Sequence, residues 1–96
     1  MNYGKMINSL RVDRMKQNQN AFSESIGITQ SYLSSIENGN KKPSTDLLEK
    51  IAKHVELPMP ILFWFSITEK DVSAEKKEYF KSLKPTADAL INSFFN

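Results

Sequence analysis

The fold of this 96-residue chain is decided by residues 19–38, which read QNAFSESIGITQSYLSSIEN. Phe22 and Ile26 are four residues apart, and Leu33 and Ile36 are three apart, the spacing that gives a helix one apolar face. Gly27 lies between these pairs, where the end of a helix favours a residue that tolerates positive φ. The stretch therefore predicts two short helices that are joined by a tight turn and cross steeply over a small shared core.

Capping residues indicate where these helices begin and where their neighbours lie. Asn18 and Thr29 precede the two helices and Ser44 precedes a fourth helical pattern, and all three are favoured N-cap residues. A first helix is predicted over residues 3–15, and a fifth begins near Pro60, because proline suits a first helical turn. No run alternates apolar and polar residues as a strand would. The sequence thus predicts an all-α chain with a five-helix unit over residues 1–66.

Residues 67–96 differ in character and are predicted to form a helical extension. Residues 67–74 are polar and typical of a connector, whereas residues 75–83 suit a charged helix. Proline lacks the N–H group that a helix interior needs. We therefore expect Pro85 to begin a separate, short last helix.

The net charge is only +2, but the basic residues are concentrated in the half of the chain that contains the two-helix stretch. Residues 1–45 hold six Lys or Arg against three acids, whereas residues 46–96 hold seven against eight. This distribution suits a phosphate-rich partner; a face that is only solvated is the alternative. The longest apolar run, residues 61–67, is too short to span a bilayer, and no secretory signal is expected.

Residues that could carry catalysis or bind a metal are few. The absence of cysteine excludes disulfides, thiolate zinc sites and thiol catalysis, and it fits a reducing cytoplasm. His54 is the one histidine, and we expect it to be exposed at a helix end. Ser34 and Ser35 have no basic partner at a readable spacing that would make either a nucleophile. We therefore expect no enzymatic activity, no metal and no cofactor.

The outward face of the third predicted helix is polar but uncharged. It consists of Gln30, Ser31, Ser34 and Ser35. A helix that only needs to be soluble more often carries charges. Glutamine can form two hydrogen bonds with adenine, and serine adapts to several base edges. The face therefore predicts contacts with DNA bases, and an ordinary polar surface is the alternative.

The chain resembles the Cro/repressor (XRE-type) helix-turn-helix family of phage and bacterial regulators. The resemblance covers residues 5–66 and rests on Asn18-Gln19, Phe22, Gly27 and two longer segments. These segments are GITQSYLSSIENGNKKPS at residues 27–44 and LLEKIAKHVELP at residues 47–58. The resemblance implies a lambda-repressor-like domain of five helices, in which the second and third helices form the DNA-binding motif.

The resemblance also implies a role for the polar residues around the motif. Bases would be read by Gln30, Ser31 and Ser35, with Ser34 on the same face. Phosphates would be contacted by Asn18, Gln19, Asn38, Asn40, Lys41 and Lys42. An ion pair between Arg11 and Glu37 would hold the loop after the third helix. The chain departs from the family in one extra residue between Arg11 and Asn18, which leaves the register of the first helix open, and in Ser23 where alanine is usual.

Aromatic residues are concentrated near the end of the chain, where seven of the ten lie after residue 60. A unit of 66 residues cannot bury all of them, and exposed aromatic patches usually mark partner surfaces. We therefore predict a dimer or partner surface formed by Phe63, Trp64, Phe65, Phe94 and Phe95. The alternative is that they complete the core and dock the extension. Members of the family that the chain resembles commonly dimerise near the fifth helix.

Taken together, these patterns predict a cytoplasmic, sequence-specific DNA-binding regulator of transcription. Its partner would be double-stranded DNA, and the simplest form is a homodimeric repressor of a palindromic operator. The alternative is an antitoxin whose residues 67–96 bind a toxin while residues 1–66 autoregulate.

Overall fold

The computed structural model describes residues 1–96 and contains six α-helices and three short helical turns. The helices are α1 (Tyr3–Ser9), α2 (Gln19–Ile26), α3 (Gln30–Glu37), α4 (Thr45–Val55), α5 (Met59–Ser66) and α6 (Lys77–Phe95). A π-helical turn, Leu10–Arg14, continues α1, and two 3-10 turns, Glu69–Asp71 and Ala74–Lys76, lie between α5 and α6. No strand forms, so the predicted all-α class is confirmed.

The capping residues predicted from the sequence begin the helices as expected. The side chains of Asn18, Thr29 and Ser44 each accept a hydrogen bond from a backbone N–H in the first turn of α2, α3 and α4. Gly27 ends α2 with φ at 76°, the left-handed conformation that favours glycine. The turn between α2 and α3 is therefore set by local chemistry on both sides.

A single hydrophobic core joins the first five helices. Its fourteen members are Met6, Ile7, Leu10, Phe22, Ile26, Leu33, Ile36, Leu47, Leu48, Ile51, Ala52, Val55, Leu57 and Leu62. Gly4 lets α1 approach the end of α3, because a Cβ at this position would overlap the carbonyl oxygen of Ile36. The helix α6 contributes no buried residue, although Phe95 packs against the core from outside. None of the helices combines the length and apolar composition that crossing a membrane requires.

The π-helical turn takes up the extra residue between Arg11 and Asn18. The N–H of Met15 donates to the carbonyl of Leu10, five residues back, at 2.9 Å. A turn closed over five residues instead of four accommodates one additional residue without ending the helix. Arg11 therefore still reaches Glu37 of α3, at 2.8 Å, and the register that the sequence left open is resolved.

The prediction that Pro85 begins a separate helix is wrong, because α6 continues through this proline. Trp64 of α5 contacts α6 on both sides of it. Its ring lies 6.4 Å from that of Phe80, and its Nε1 donates to Asp88 Oδ1 at 2.8 Å. Lys84 and Asp88 also pair across the proline at 3.1 Å. These contacts offset the cost of an internal proline, which is about 3 kcal/mol in an isolated helix.

Candidate nucleic-acid interface

The face of α3 that points away from the core carries the four polar residues singled out in the sequence. Gln30 and Ser31 are exposed, and Ser34 and Ser35 are half-buried. The opposite face is apolar and buried, with Leu33 at 0% and Ile36 at 1% exposure. The helix is therefore anchored on one side while the polar side stays accessible.

The hydroxyl groups on this face are free of internal hydrogen bonds. Five serines elsewhere in the chain, among them Ser23, Ser25 and Ser66, donate back to a carbonyl of their own helix. Ser31, Ser34 and Ser35 form no such bond. Their hydroxyls keep both donor and acceptor capacity for an external partner.

Gln30 is positioned by Gln19 at the start of α2. Its Nε2 donates to Gln19 Oε1 at 2.6 Å, and Gln19 Nε2 donates in turn to Glu37 Oε1 at 3.2 Å. Both polar atoms of the Gln19 side chain are thus engaged within the chain. Asn18 caps the N–H of Ala21, and the N–H groups of Gln19 and Asn20 remain at this end without a partner in the preceding turn.

Glu37, the last residue of α3, is the centre of this hydrogen-bond network. Arg11 approaches it with two nitrogens, Nε at 2.8 Å from Oε2 and Nη2 at 3.0 Å from Oε1. Asn8 Nδ2 donates to the same Oε1 at 2.9 Å. The side chains of Arg11 and Glu37 are only 12% and 6% exposed. Because this bidentate pair is so little exposed to solvent, it fixes the π-helical turn that continues α1 against α3.

The network shifts the pKa of both charged partners. Burial alone would raise the pKa of Glu37, but the hydrogen bonds from Arg11, Asn8 and Gln19 outweigh it and lower the pKa below 4.5. The hydrogen bond to Glu37 raises the pKa of Arg11 above its ordinary value. Both groups therefore stay charged at neutral pH.

The loop after α3 is held by its own backbone and carries two exposed lysines. The N–H groups of Asn40 and Lys41 donate to the carbonyl of Ser35, and Asn38 Oδ1 accepts from the N–H of Asn40 at 3.0 Å. Lys41 Nζ lies 5.5 Å from the centre of the Tyr32 ring, and Lys42 Nζ lies 5.8 Å from that of Tyr3. No salt bridge neutralises these lysines. The remaining predicted contact residue, Asn18, uses its side-chain oxygen to cap α2.

Comparison with known proteins gives this arrangement a family. The model of the helix-turn-helix family matches residues 7–62, more than half of the chain. The chain belongs to this family. The Cro/repressor-type resemblance seen in the sequence is thereby confirmed, and so is the role of a DNA-binding regulator of transcription that comes with it.

A curated relative agrees with this assignment. The "ImmF control region 10 kDa protein" of Bacillus phage phi105 is 36% identical over 62 residues, which are 62% of this chain and 69% of the relative. No solved structure gave a significant match. The helix-turn-helix match ends within α5, so α6 lies outside it.

The aromatic residues predicted to form a dimer or partner surface differ in their exposure. Trp64 packs on α6 of its own chain, and Phe65 and Phe95 pack against the core. Only Phe63, at 37%, and Phe94, at 74%, count as exposed. Most of this aromatic cluster is used to dock α6 on the helix-turn-helix unit, which was the alternative reading.

Some contacts that support the site could not be read from the sequence. The expectation that His54 is exposed is wrong: it is half-buried, its ring lies edge-on to Phe22 at 5.3 Å, and its Nε2 lies 2.7 Å from Gln17 Oε1. His54 and Gln17 are 37 positions apart, so no local sequence pattern indicates that they form a pair. Asn8 was also missed, although its place three residues before Arg11 puts both on one helix face.

Proposed function

We propose that this chain is a sequence-specific repressor that binds a palindromic operator as a dimer, with α3 in the major groove. The observation that carries the proposal is the outward face of α3. It is accessible and uncharged, its hydroxyls are unbonded, and Gln30 is held in place by Gln19. Discrimination between bases needs such fixed hydrogen-bonding groups, whereas attraction to phosphates alone needs only charge.

The geometry of Gln30 suits adenine. Its Nε2 has two N–H groups, of which one donates to Gln19, so one N–H and the whole of Oε1 remain free. Adenine presents one acceptor, N7, and one donor, the N6 amino group, at its major-groove edge. The bond to Gln19 thus orients the amide and leaves the two groups that adenine requires.

The surrounding residues suit contacts with phosphates. The free N–H groups at the start of α2 favour an anion, and Lys41 and Lys42 add positive charge directly after α3. The amide groups of Asn18, Asn38 and Asn40 keep N–H donors beyond their internal bonds. The side chain of Gln19 contributes to phosphate binding only if it releases one of its partners, so its backbone N–H is the better candidate.

A dimer explains how so small a face achieves specificity. Two copies of α3 would enter successive major grooves about 34 Å apart on a palindrome. The relative is named for a phage control region, which favours a regulatory role on DNA. Its work on DNA would place it in the cytoplasm.

Selection of bound sites from random DNA duplexes tests the proposal. We expect the wild-type chain to enrich a palindromic sequence that contains adenine in each half-site. Ser35→Ala should change the enriched sequence, and Ser73→Ala, which alters an exposed serine between the two 3-10 turns, should not. Enrichment of no sequence by the wild type, or the same sequence with all variants, would contradict the assignment of α3 as the base reader.

A further inference from the structure

The helix α6 exposes four large apolar side chains, of which Tyr79 has the ammonium group of Lys76 over its ring at 5.5 Å. Tyr79 is 64%, Leu83 61%, Leu90 61% and Phe94 74% exposed. All other strongly exposed apolar side chains lie on different elements, at Met1, Val12 and Phe63. The four are therefore a feature of this helix and not of the surface in general.

These four residues, which we call the α6 stripe, share one face of the helix. Successive residues of an α-helix turn by about 100°, so the four directions fall within an arc of roughly 60°. The helix docks on α5 through a different face, which carries Phe80, Lys84 and Asp88. The stripe thus remains accessible when α6 is docked.

The spacing of the α6 stripe is symmetric. Tyr79 and Phe94 lie equally far from the midpoint between Thr86 and Ala87, and so do Leu83 and Leu90. An antiparallel pair of identical helices, related by a two-fold axis at this midpoint, would place Tyr79 against Phe94 and Leu83 against Leu90 of the second copy. A two-fold interface has to be self-complementary in this way. A foreign partner would impose no such symmetry.

The charges on α6 also suit a second copy. From Leu83 to the end of the helix the only charged residues are Lys84 and Asp88, and these pair with each other on the docking face. Lys76, beside Tyr79, and Lys81 lie near the start of the stripe, and antiparallel pairing places the two copies of each lysine at opposite ends of the interface. The antiparallel arrangement also sets the helix dipoles favourably. A charged partner would find no counter-charge here.

The area is close to what a stable dimer needs. Four large side chains at these exposures offer on the order of 500 Å² of apolar surface per copy. The small exposed residues beside them, Ser82, Thr86, Ala89 and Ser93, allow close approach and extend the face. A standard interface buries about 800 Å² per partner. The four side chains thus supply more than half of this area, and the small residues along a helix about 28 Å long add to it.

We infer that the α6 stripe is the homodimer interface, formed by antiparallel pairing of α6 with α6 of a second copy. The inference rests on the dimeric form proposed above and names the surface that produces it. It moves the interface away from Trp64, which docks α6 in cis, to a separate face of α6.

Because the chain contains no cysteine, single cysteines report the pairing directly. In the full-length chain under mild oxidation, Thr86→Cys should form a disulfide-linked dimer, because the two copies of this position meet at the axis. Tyr79→Cys alone should not, because its two copies lie roughly 22 Å apart, at 1.5 Å per residue, and a disulfide spans about 7 Å between Cα atoms. A mixture of Tyr79→Cys and Phe94→Cys chains should link to each other.

Sedimentation equilibrium without DNA measures the strength of the pairing. Leu83→Lys should raise the dimer dissociation constant by roughly 100-fold, because symmetry places the unpaired charge in the interface twice. Val12→Lys, which puts the same charge on an exposed apolar position outside α6, should leave it unchanged. A wild-type monomer at micromolar concentration, equal effects of the two variants, or linkage of Tyr79→Cys to itself would overturn the inference.

These outcomes are separate from those of the DNA-binding proposal. A monomeric chain that still enriches one DNA sequence would overturn the α6 pairing and leave α3 as the base reader. A dimer joined through α6 that enriches no sequence would support the α6 pairing and overturn the assignment of α3 as the base reader.

Discussion

At the scale of single residues, Glu37 connects three parts of the structure through one carboxylate. It accepts hydrogen bonds from Arg11 in the π-helical turn, Asn8 in α1 and Gln19 in α2. Gln30 on the outward face of α3 donates in turn to Gln19, which extends the network to that face. The orientation of Gln30 thus depends on a nearly buried ion pair.

Replacement of this carboxylate should cost stability and change its pH dependence. Glu37→Gln should lower the free energy of unfolding at pH 7 by about 3 kcal/mol, because Arg11 loses its partner with little solvent to replace it. The folded state lowers the pKa of Glu37 below 4.5, so its contribution is complete above that pH and is lost as the pH falls through the lowered value. As the pH falls below 4.5, the free energy of unfolding of the wild type should therefore decrease more steeply than that of the variant.

Urea unfolding between pH 7 and pH 3 measures both effects. The exposed Glu49→Gln serves as the matched control and should follow the wild type. A variant at position 37 that unfolds like the wild type at neutral pH would show that the ion pair adds nothing to the fold.

Loss of the Gln30 amide, the proposed base reader, should affect one DNA sequence more than others. Gln30→Ala should weaken binding to the selected site by about 1–3 kcal/mol and relax the preference at one position of each half-site. Binding to unrelated duplexes should change little, because the phosphate contacts remain. Fluorescence anisotropy with both duplexes provides the measurement, and equal losses on both would assign Gln30 to the backbone instead.

Loss of a loop lysine should have the complementary effect. Lys42→Ala should weaken binding to all duplexes alike and reduce the slope of log K against log salt by about one unit per subunit. Lys53→Ala, an exposed lysine near the end of α4, is the control. An unchanged slope would place Lys42 away from the phosphates.

At the scale of elements, the short motif helices follow closely from local chemistry, and the longer-range features do not. The N-caps Asn18, Thr29 and Ser44 and the left-handed Gly27 mark helix limits through groups that lie within three residues. The outward face of α3 is likewise readable from its periodicity. The π-helical turn cannot be predicted in this way. The spacing shows that one residue is extra, but it does not show at which turn of the helix that residue is accommodated.

Pro85 shows the limit of local rules most clearly. A proline ends most helices, yet α6 continues through it because Trp64 binds residues on both sides. These partners lie 16 and 24 positions from Trp64 in the sequence, so no local pattern indicates them. The placement of Trp64, Phe65 and Phe95 in cis was unpredictable for the same reason.

Removal of the proline should stabilise α6. Pro85→Ala restores a backbone N–H and a strong helix former, and should raise the free energy of unfolding by about 1–3 kcal/mol. Circular dichroism during thermal unfolding checks this, with Thr86→Ala as a neighbouring control. A lower melting temperature for Pro85→Ala would mean that docking on Trp64 requires the backbone shape that proline imposes.

At the scale of the whole molecule, α6 is fastened to the helix-turn-helix unit at two places. Trp64 holds its middle through Asp88, and Arg14 holds its end by donating to the carbonyl of Phe95 at 2.7 Å. Arg14 also donates to the carbonyl of Val55 at the end of α4. The extension and the DNA-facing unit should therefore move together, which a dimer formed through α6 needs in order to position two recognition helices.

Weakening the first attachment should loosen α6 without unfolding the core. Trp64→Phe keeps the aromatic packing but removes the hydrogen bond to Asp88, and should cost about 1–2 kcal/mol because Lys84 still pairs with that carboxylate. Hydrogen exchange should accelerate in α6 and remain slow in α4. Acceleration throughout the chain would mean that α6 and the core unfold as one unit.

The ratio of affinities for the selected site and for an unrelated duplex of equal length is the most direct test that this helix-turn-helix unit reads sequence. It should be measured with the full-length chain at about 0.15 M salt, where phosphate attraction is largely screened. We predict a preference of at least about 1,000-fold for the selected site. A ratio near one, with both affinities falling equally as salt rises, would contradict base reading by α3 and leave only binding to phosphates.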